Sequence, residues 1–195
     1  MIDLYSGTPG SGKSLYATYY LINELKRGRG IIANFDINQG YFKKPVKFTY
    51  KDNSELTVEY LVNYSKEHHI PNKEHQTTVI FDEAGVKFNV RDWDVQDRMQ
   101  WVKFFTLHRK LGFDFILISQ YDRMIDKQIR ALIETECKFR NIKNYKTFGW
   151  ILSLLAGGLF IKVDYWYGAR LRISSELFTF NKKKANIYDT FKVFE

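Results

Sequence analysis

Eight residues near the start of the chain, Gly7-Thr8-Pro9-Gly10-Ser11-Gly12-Lys13-Ser14, read G-x-x-x-x-G-K-[ST] without a mismatch. That is the pattern of a phosphate-binding loop, and it demands a strand before it and a helix after it. Both are written in. Met1-Ile2-Asp3-Leu4-Tyr5-Ser6 is short and apolar enough for a buried strand, and Leu15 to Arg27 sets Leu15, Tyr19, Ile22 and Leu25 on one helical face. Glycines at 7, 10 and 12 let the backbone wrap a polyphosphate without side-chain clashes. Successive N–H groups and the positive end of the helix then face the phosphate oxygens. The residues expected to touch the nucleotide are Thr8, Pro9, Gly10, Ser11, Gly12, Lys13, Ser14 and Leu15. Lys13 would reach the β/γ oxygens, and the Ser14 hydroxyl would bind Mg²⁺.

A second signal is Thr77-Thr78-Val79-Ile80-Phe81-Asp82-Glu83, a β-branched apolar run ending in two acids. In phosphate-loop enzymes an Asp at such a strand end holds the Mg²⁺ shell. A Glu directly after it is placed to orient and polarise an attacking water. Alone, the pair would equally begin a polar turn; the loop upstream favours Asp82 as metal ligand and Glu83 as catalytic. Phe113 to Gln120 is another buried-strand run with a polar end, and Gln120 there would sense the γ-phosphate and the attacking water.

Between these runs, Gly30 to Phe35 reads as a buried strand, with Asn34 and Asp36 at its carboxyl end, where open α/β sheets place ligands. Val46 to Tyr50 suits a short edge strand after Pro45. Ser54 is expected to cap a helix from about Glu55 to Lys66, and Asp94 one running to about Lys110 before Gly112. His68, His69 and His75 lack metal-ligand spacing and are expected at the surface. His108, Arg109 and Lys110 complement the negative end of their helix, although Arg109 also suits an approach to a nucleotide, here or on a neighbouring subunit. Asp126 is expected to cap a helix from Lys127 to Glu134. Its Arg130 is the first candidate for an arginine finger, a planar cation that neutralises transition-state charge, with a surface salt bridge as the competing reading.

The 195 residues suit one domain, with a core at about 1–145 and an extension at about 146–195. The single cysteine, Cys137, permits no internal disulfide and fits a reducing compartment. No secretory signal is expected, because no basic segment leads an apolar stretch. Net charge is +8, all of it from residues 98–195, where 18 Lys/Arg stand against 9 Asp/Glu; residues 1–97 hold 12 against 13. A basic second half suits nucleic acid or an anionic membrane surface, or is simply a solvated face. Phe148 to Ile161 carries no charge over 14 residues but is too short to span a bilayer and is interrupted by Gly157-Gly158. A buried hairpin, a helix-turn-strand, or an exposed element for self-association or membrane contact fits it. Residues 164–173 have strand character, and Lys182-Lys183-Lys184 reads as a solvated loop.

Taken in order, the phosphate loop near Met1, Asn34-Phe35-Asp36, Phe81-Asp82-Glu83-Ala84-Gly85 and His108-Arg109 with Gly112-Phe113-Asp114 carry a resemblance. Ser119-Gln120, Ile125-Asp126 with Ile129-Arg130, and Tyr188-Asp189-Thr190 continue it. The set resembles the zonular occludens toxin (Zot) family, which includes the gene I-type assembly ATPases of filamentous phages. The likeness covers most of residues 1–145 and, more weakly, the tail. It implies a three-layer α/β P-loop NTPase with a mainly parallel central sheet, of the additional-strand, catalytic-Glu kind akin to FtsK/HerA motors. In that fold the strand ending at Gln120 lies between those bearing the loop and Asp82. A β-rich, apolar appendage would follow the core.

The resemblance further implies ATP and Mg²⁺ as cofactors, and a ring-forming homo-oligomer at the cytoplasmic face of the inner membrane. Its work would be to power phage assembly and extrusion of single-stranded DNA with coat and assembly proteins; direct DNA contact stays open. Members typically continue into a transmembrane segment and an extracytoplasmic part. These 195 residues carry neither, so either that part has been removed or the apolar 148–161 stretch takes over membrane contact. Two other functions remain at this point. A small-molecule phosphotransferase would need an Arg-rich lid, which is not evident, and a non-hydrolysing interaction protein would use nucleotide only to regulate docking.

Overall fold

The computed structural model describes residues 1–89 and 95–188. The expected cap Asp94 lies outside them. The elements run β1 (Ile2–Ser6), α1 (Lys13–Lys26), β2 (Gly30–Ala33), β3 (Phe48–Tyr50), α2 (Val58–His68), β4 (Thr77–Phe81) and α3 (Ala84–Lys87). They continue α4 (Val95–Leu107), β5 (Phe113–Ser119), α5 (Lys127–Arg130), β6 (Thr135–Asn141), α6 (Lys146–Leu155), β7 (Leu159–Trp166), β8 (Leu171–Thr179) and α7 (Lys182–Ala185).

Among the described residues, all eight strands join one sheet in the order β3-β2-β4-β5-β1-β6-β7-β8. The first six are parallel; β7 and β8 run antiparallel to their neighbours. β5 is the added strand between β1 and β4, with Ser6 opposite Ser119 and Phe81 opposite Leu117. The carboxyl ends of β1, β4 and β5 therefore reach one edge of the sheet, where doubly wound folds gather their ligands.

The alternation of each strand explains the three layers. In β1, Ile2 and Leu4 face one core while Tyr5 faces the other; in β5, Phe113, Phe115 and Leu117 alternate with Ile116 and Ile118. The first core takes Leu61 of α2, Trp101, Phe104 and Phe105 of α4, and Ile129 of α5. The second takes Ala17, Leu21, Ile22 and Leu25 of α1. Trp101 packs edge-on to Phe81 and Phe88, with ring centroids 5.7 and 5.2 Å away. Truncating it to Ala would cost about 3–5 kcal/mol.

Several local expectations need correction. Strand β2 stops at Ala33 rather than Phe35. Thr57, not Ser54, caps α2: its Oγ1 accepts the Tyr60 N–H at 3.1 Å, whereas the Ser54 hydroxyl donates to Asp52 Oδ1 at 2.8 Å. A tight Asp52–Glu55 turn absorbs the first candidate cap, and the helix starts three residues later. Asp126 does cap α5 by accepting the Gln128 N–H at 2.8 Å, but the helix ends at Arg130. Lys182–Lys184 belong to α7, capped by Asn181, rather than to a loop.

His69 is not a surface bystander. Its Nδ1–H donates to the Leu111 carbonyl at 2.6 Å, leaving Nε2 to accept from Thr77 Oγ1 at 2.7 Å, and burial lowers its pKa. His75 pairs with Asp114 at 2.7 Å. Among the described residues no His/Cys/Asp/Glu group could hold a metal ion by itself.

The apolar 148–161 stretch forms most of α6, a turn through Gly157-Gly158, and the start of β7. Ile151, Leu154 and Leu155 stay exposed on α6. No helix among the described residues is long and apolar enough to cross a membrane. β7 pairs along the whole of β6, so residues 159–179 extend the same sheet as a hairpin whose outer strand exposes Leu171, Ile173 and Leu177.

Candidate functional site

The loop leaves the end of β1 and turns into α1. Gly7 has φ +149°, and a Cβ there would stand 2.5 Å from the Phe139 carbonyl oxygen. Gly12 has φ +97°, and its Cβ would meet Phe160 Cδ1 at 2.9 Å and Phe178 Cζ at 3.1 Å. The two rings come from the β7–β8 hairpin and stack at 5.3 Å. The hairpin thus forms an aromatic wall against the loop, and only glycine fits between wall and backbone.

Lys13 donates from Nζ to the Gly7 and Thr8 carbonyls, at 2.7 and 3.1 Å. Burial lowers its pKa, and the charges of Asp82 and Glu83 oppose that shift. Both acids therefore act on the lysine across the sheet edge. Ser14 Oγ donates to Asp82 Oδ2 at 3.3 Å. This contact bridges 68 residues of chain and joins the loop to the end of β4. A serine hydroxyl and a carboxylate are hard oxygen donors of the sort Mg²⁺ takes, and a loop with positive φ at Gly7, Gly10 and Gly12 suits a polyphosphate.

Asp82 is fixed from several sides. Its N–H donates to Asn34 Oδ1 at 2.7 Å, and its carbonyl accepts from Asn34 Nδ2 at 2.8 Å. Asn34 also donates to Asn53 Oδ1 at 2.9 Å. Asp82 Oδ1 accepts the Glu83 N–H at 2.9 Å, and Oδ2 accepts the Tyr188 hydroxyl as well as Ser14. Burial first, then the charge of Asp82, pushes the Tyr188 phenol well above its ordinary pKa, so it stays a donor. Glu83 itself sits at φ +49°, ψ +45°. A left-handed backbone at a non-glycine residue costs on the order of 1 kcal/mol and collects at functional positions.

Gln120 follows β5, and its carbonyl accepts the Gly7 N–H at 3.3 Å. Gln120 lines a cavity of about 470 Å³ with Gly7, Thr8, Lys138, Arg140 and Tyr145. Arg140 donates to Tyr145 OH at 3.0 Å, and Asn141 donates to the Gly10 carbonyl at 3.4 Å. Arg130 stands 3.9 Å from Asp122, which lines the same cavity, and its Nε is buried without a partner among the described residues.

Arg109 is elsewhere. It pairs with Glu134, which accepts the Ile2 N–H at the start of β1, whereas the loop leaves from the end of that strand. Within one chain Arg109 does not approach the loop, which corrects the expectation that it does so in its own subunit. A larger cavity of about 870 Å³, lined by Arg29, Lys47, Tyr64 and His68, also opens at that amino edge and includes no loop residue.

The loop, the two acids and Gln120 all carry a local sequence signal. Lys138, Arg140 and Asn141 do not, because a strand reading gives no sign of which strand will flank the loop. Tyr188 is marked in the sequence only by the family resemblance.

The family model described as Zonular occludens toxin (Zot) matches residues 1–185. The chain belongs to the Zot family. Among relatives, the Gene 1 protein of Enterobacteria phage I2-2 is 27% identical over 165 residues, covering 80% of this chain and 45% of the relative. That of Enterobacteria phage M13 is 25% identical over 206 residues, covering 97% and 59%. The Zot-family chain thus spans about half the length of these relatives.

Among solved structures, the N-terminal domain of zonular occludens toxin from Neisseria meningitidis superposes with TM-score 0.58 at 19% identity, covering 96% of this chain and 98% of that one. The genome packaging NTPase B204 from Sulfolobus turreted icosahedral virus 2, in complex with ATP-gammaS, gives 0.57 at 16%, covering 90% and 95%. The ATPase domain of G40P gives 0.62 at 10%, covering 96% and 83%. These likenesses establish the P-loop NTPase fold for the Zot-family chain.

Proposed function

We propose that this Zot-family chain is a Mg²⁺-dependent ATPase that powers assembly and membrane extrusion of filamentous phage with its single-stranded DNA. The observation that carries the reading is the Ser14–Asp82 hydrogen bond at 3.3 Å, which sets the helix-start hydroxyl and the strand-end carboxylate on one point, with Glu83 adjoining.

Bound Mg²⁺ would neutralise phosphate charge between Ser14 and Asp82. The loop amides from Thr8 to Leu15 and the Lys13 ammonium hold the phosphates. Glu83 takes the proton of the attacking water, and the Gln120 amide orients that water from the end of the added strand. Arg130 supplies a cation from beside Asp122, or Arg109 does so from a neighbouring copy. Exposed Leu171, Ile173 and Leu177 on the outer strand and Ile151, Leu154 and Leu155 on α6 suit contacts with further copies, coat proteins and the inner face of the host membrane.

Phosphate release measured against protein concentration, with and without single-stranded DNA, tests the motor. Specific activity that rises with concentration is expected, because sites are completed between subunits. Tight ATP binding with no release under any condition would contradict hydrolysis, and transfer to a nucleoside instead of water would mark a phosphotransferase.

A further inference from the structure

Tyr188 has no part in the chemistry above, yet it touches the metal-binding carboxylate from 106 residues downstream. The chain returns to the site by a defined route. Ile187 is buried and its carbonyl accepts the Asn38 N–H at 2.9 Å; Ile37 and Tyr188 form an antiparallel bridge; the Tyr188 ring packs edge-on to Phe35 at 4.6 Å. Its hydroxyl then donates to Asp82 Oδ2, the oxygen that also accepts Ser14.

A carboxylate offers about four lone-pair positions. Among the described residues three are filled on Asp82: by the Glu83 N–H on Oδ1, and by Ser14 and Tyr188 on Oδ2. Among the described residues one position, on Oδ1, is left that could face a metal shell. With the backbone clasped by Asn34 and Oδ1 held by the Glu83 N–H at 2.9 Å, the phenol fixes the other oxygen, which Ser14 holds only at 3.3 Å.

We infer that Tyr188 is a positioning residue: the docked tail orients Asp82 for the metal, and metal loading and tail docking strengthen each other. This rests on the Mg²⁺-nucleotide reading above. The reciprocity is thermodynamic, because a contact that favours the metal-ready carboxylate must be favoured by the metal in turn.

The test uses Mn²⁺ as a paramagnetic probe, titrated into the 195-residue chain with a non-hydrolysable ATP analogue and followed by the spectrum of the free ion. Limited proteolysis of the tail runs in parallel. Tyr188→Phe keeps the ring on Phe35 and removes only the hydroxyl. Loss of a residue supporting a metal ligand weakens metal affinity about tenfold or more, so about tenfold weaker Mn²⁺ binding is expected. Metal-free nucleotide affinity should stay as in wild type, and metal-free tail protection should fall only modestly, because the ring on Phe35 and the Ile37 bridge remain. Mn²⁺ with nucleotide should slow tail cleavage in wild type and lose most of that effect in Tyr188→Phe. Tyr188→Ala should lose both metal affinity and tail protection. A purely packing role would leave the Mn²⁺ affinity of Tyr188→Phe at the wild-type value, and that result overturns the inference alone. A wild-type chain that takes up no Mn²⁺ with nucleotide overturns the underlying function as well.

Discussion

Asn34 clasps the backbone of Asp82 from both sides, accepting its N–H at 2.7 Å and donating to its carbonyl at 2.8 Å. One amide side chain thereby locks the end of β2 to the end of β4, at the residue proposed to hold the metal shell. Asn34→Ala would leave two backbone groups without partners, at a cost of about 1–3 kcal/mol. A thermal melt should show a clear drop in Tm, with nucleotide-dependent stabilisation reduced beyond it. An unchanged melt would mean the clasp contributes nothing.

Gly12 tests the aromatic wall. Gly12→Ala places a methyl group 2.9 Å from Phe160 and forces φ +97° on an L-residue, at a cost of roughly 1–3 kcal/mol. Nucleotide binding, read by equilibrium dialysis, should fall at least tenfold. Phe160→Ala in the same background should restore part of it by opening the wall.

Asp3 gives a pH signature. It lies beneath α1 with Oδ1 buried and unpartnered among the described residues, and burial raises its pKa from 3.8 to about 7, against the opposing charges of the amino terminus and Lys162. The folded state therefore holds a proton that the unfolded chain releases near pH 4. The stability this group contributes is complete below pH 4 and is lost as pH rises to about 7. At 1.36 kcal/mol per unit, the loss is at most on the order of 4 kcal/mol. Asp3→Asn should match wild type near pH 4, gain Tm steadily toward pH 7, and level off above it. Parallel melting curves across that range would contradict this.

The two arginine candidates separate cleanly. Arg109 is half exposed and paired with Glu134, and an exposed pair is worth about 0–1 kcal/mol. Arg109→Ala should melt within a few degrees of wild type and alter turnover only where subunits assemble. Arg130→Ala should reduce turnover by about 10³ while ATP still binds. Equal turnover in both variants would exclude Arg130 as the finger.

Much of the site was legible because its chemistry is local in sequence. The Gly7–Ser14 spacing, the acids after Phe81 and the polar end at Gln120 each sit where a single strand meets a single turn. The buried run at Phe113 to Ser119 was legible as a strand, while the three layers came only with the family resemblance. What lay beyond a sequence reading depends on distant pairings. Phe160 and Phe178 look like ordinary hairpin residues until the sheet brings them against Gly12, and Tyr188 reaches Asp82 only after the chain has crossed the whole fold. Thr57 displaced Ser54 as a cap because both are good caps, and the Asp52 turn decided between them. Arg109, in the last turn of its helix, suits either the helix end or a nucleotide, and within one chain β1 puts its full length between that side chain and the loop.

The most direct measurement compares ATP binding and phosphate release in wild type and Glu83→Gln under the same Mg²⁺ and protein concentrations. With Asp82 on Ser14 and Glu83 beside it, Glu83→Gln should bind ATP within a few-fold of wild type and release phosphate at least 10² times more slowly. Release at the wild-type rate would contradict the assignment of this loop and acid pair as a hydrolytic centre.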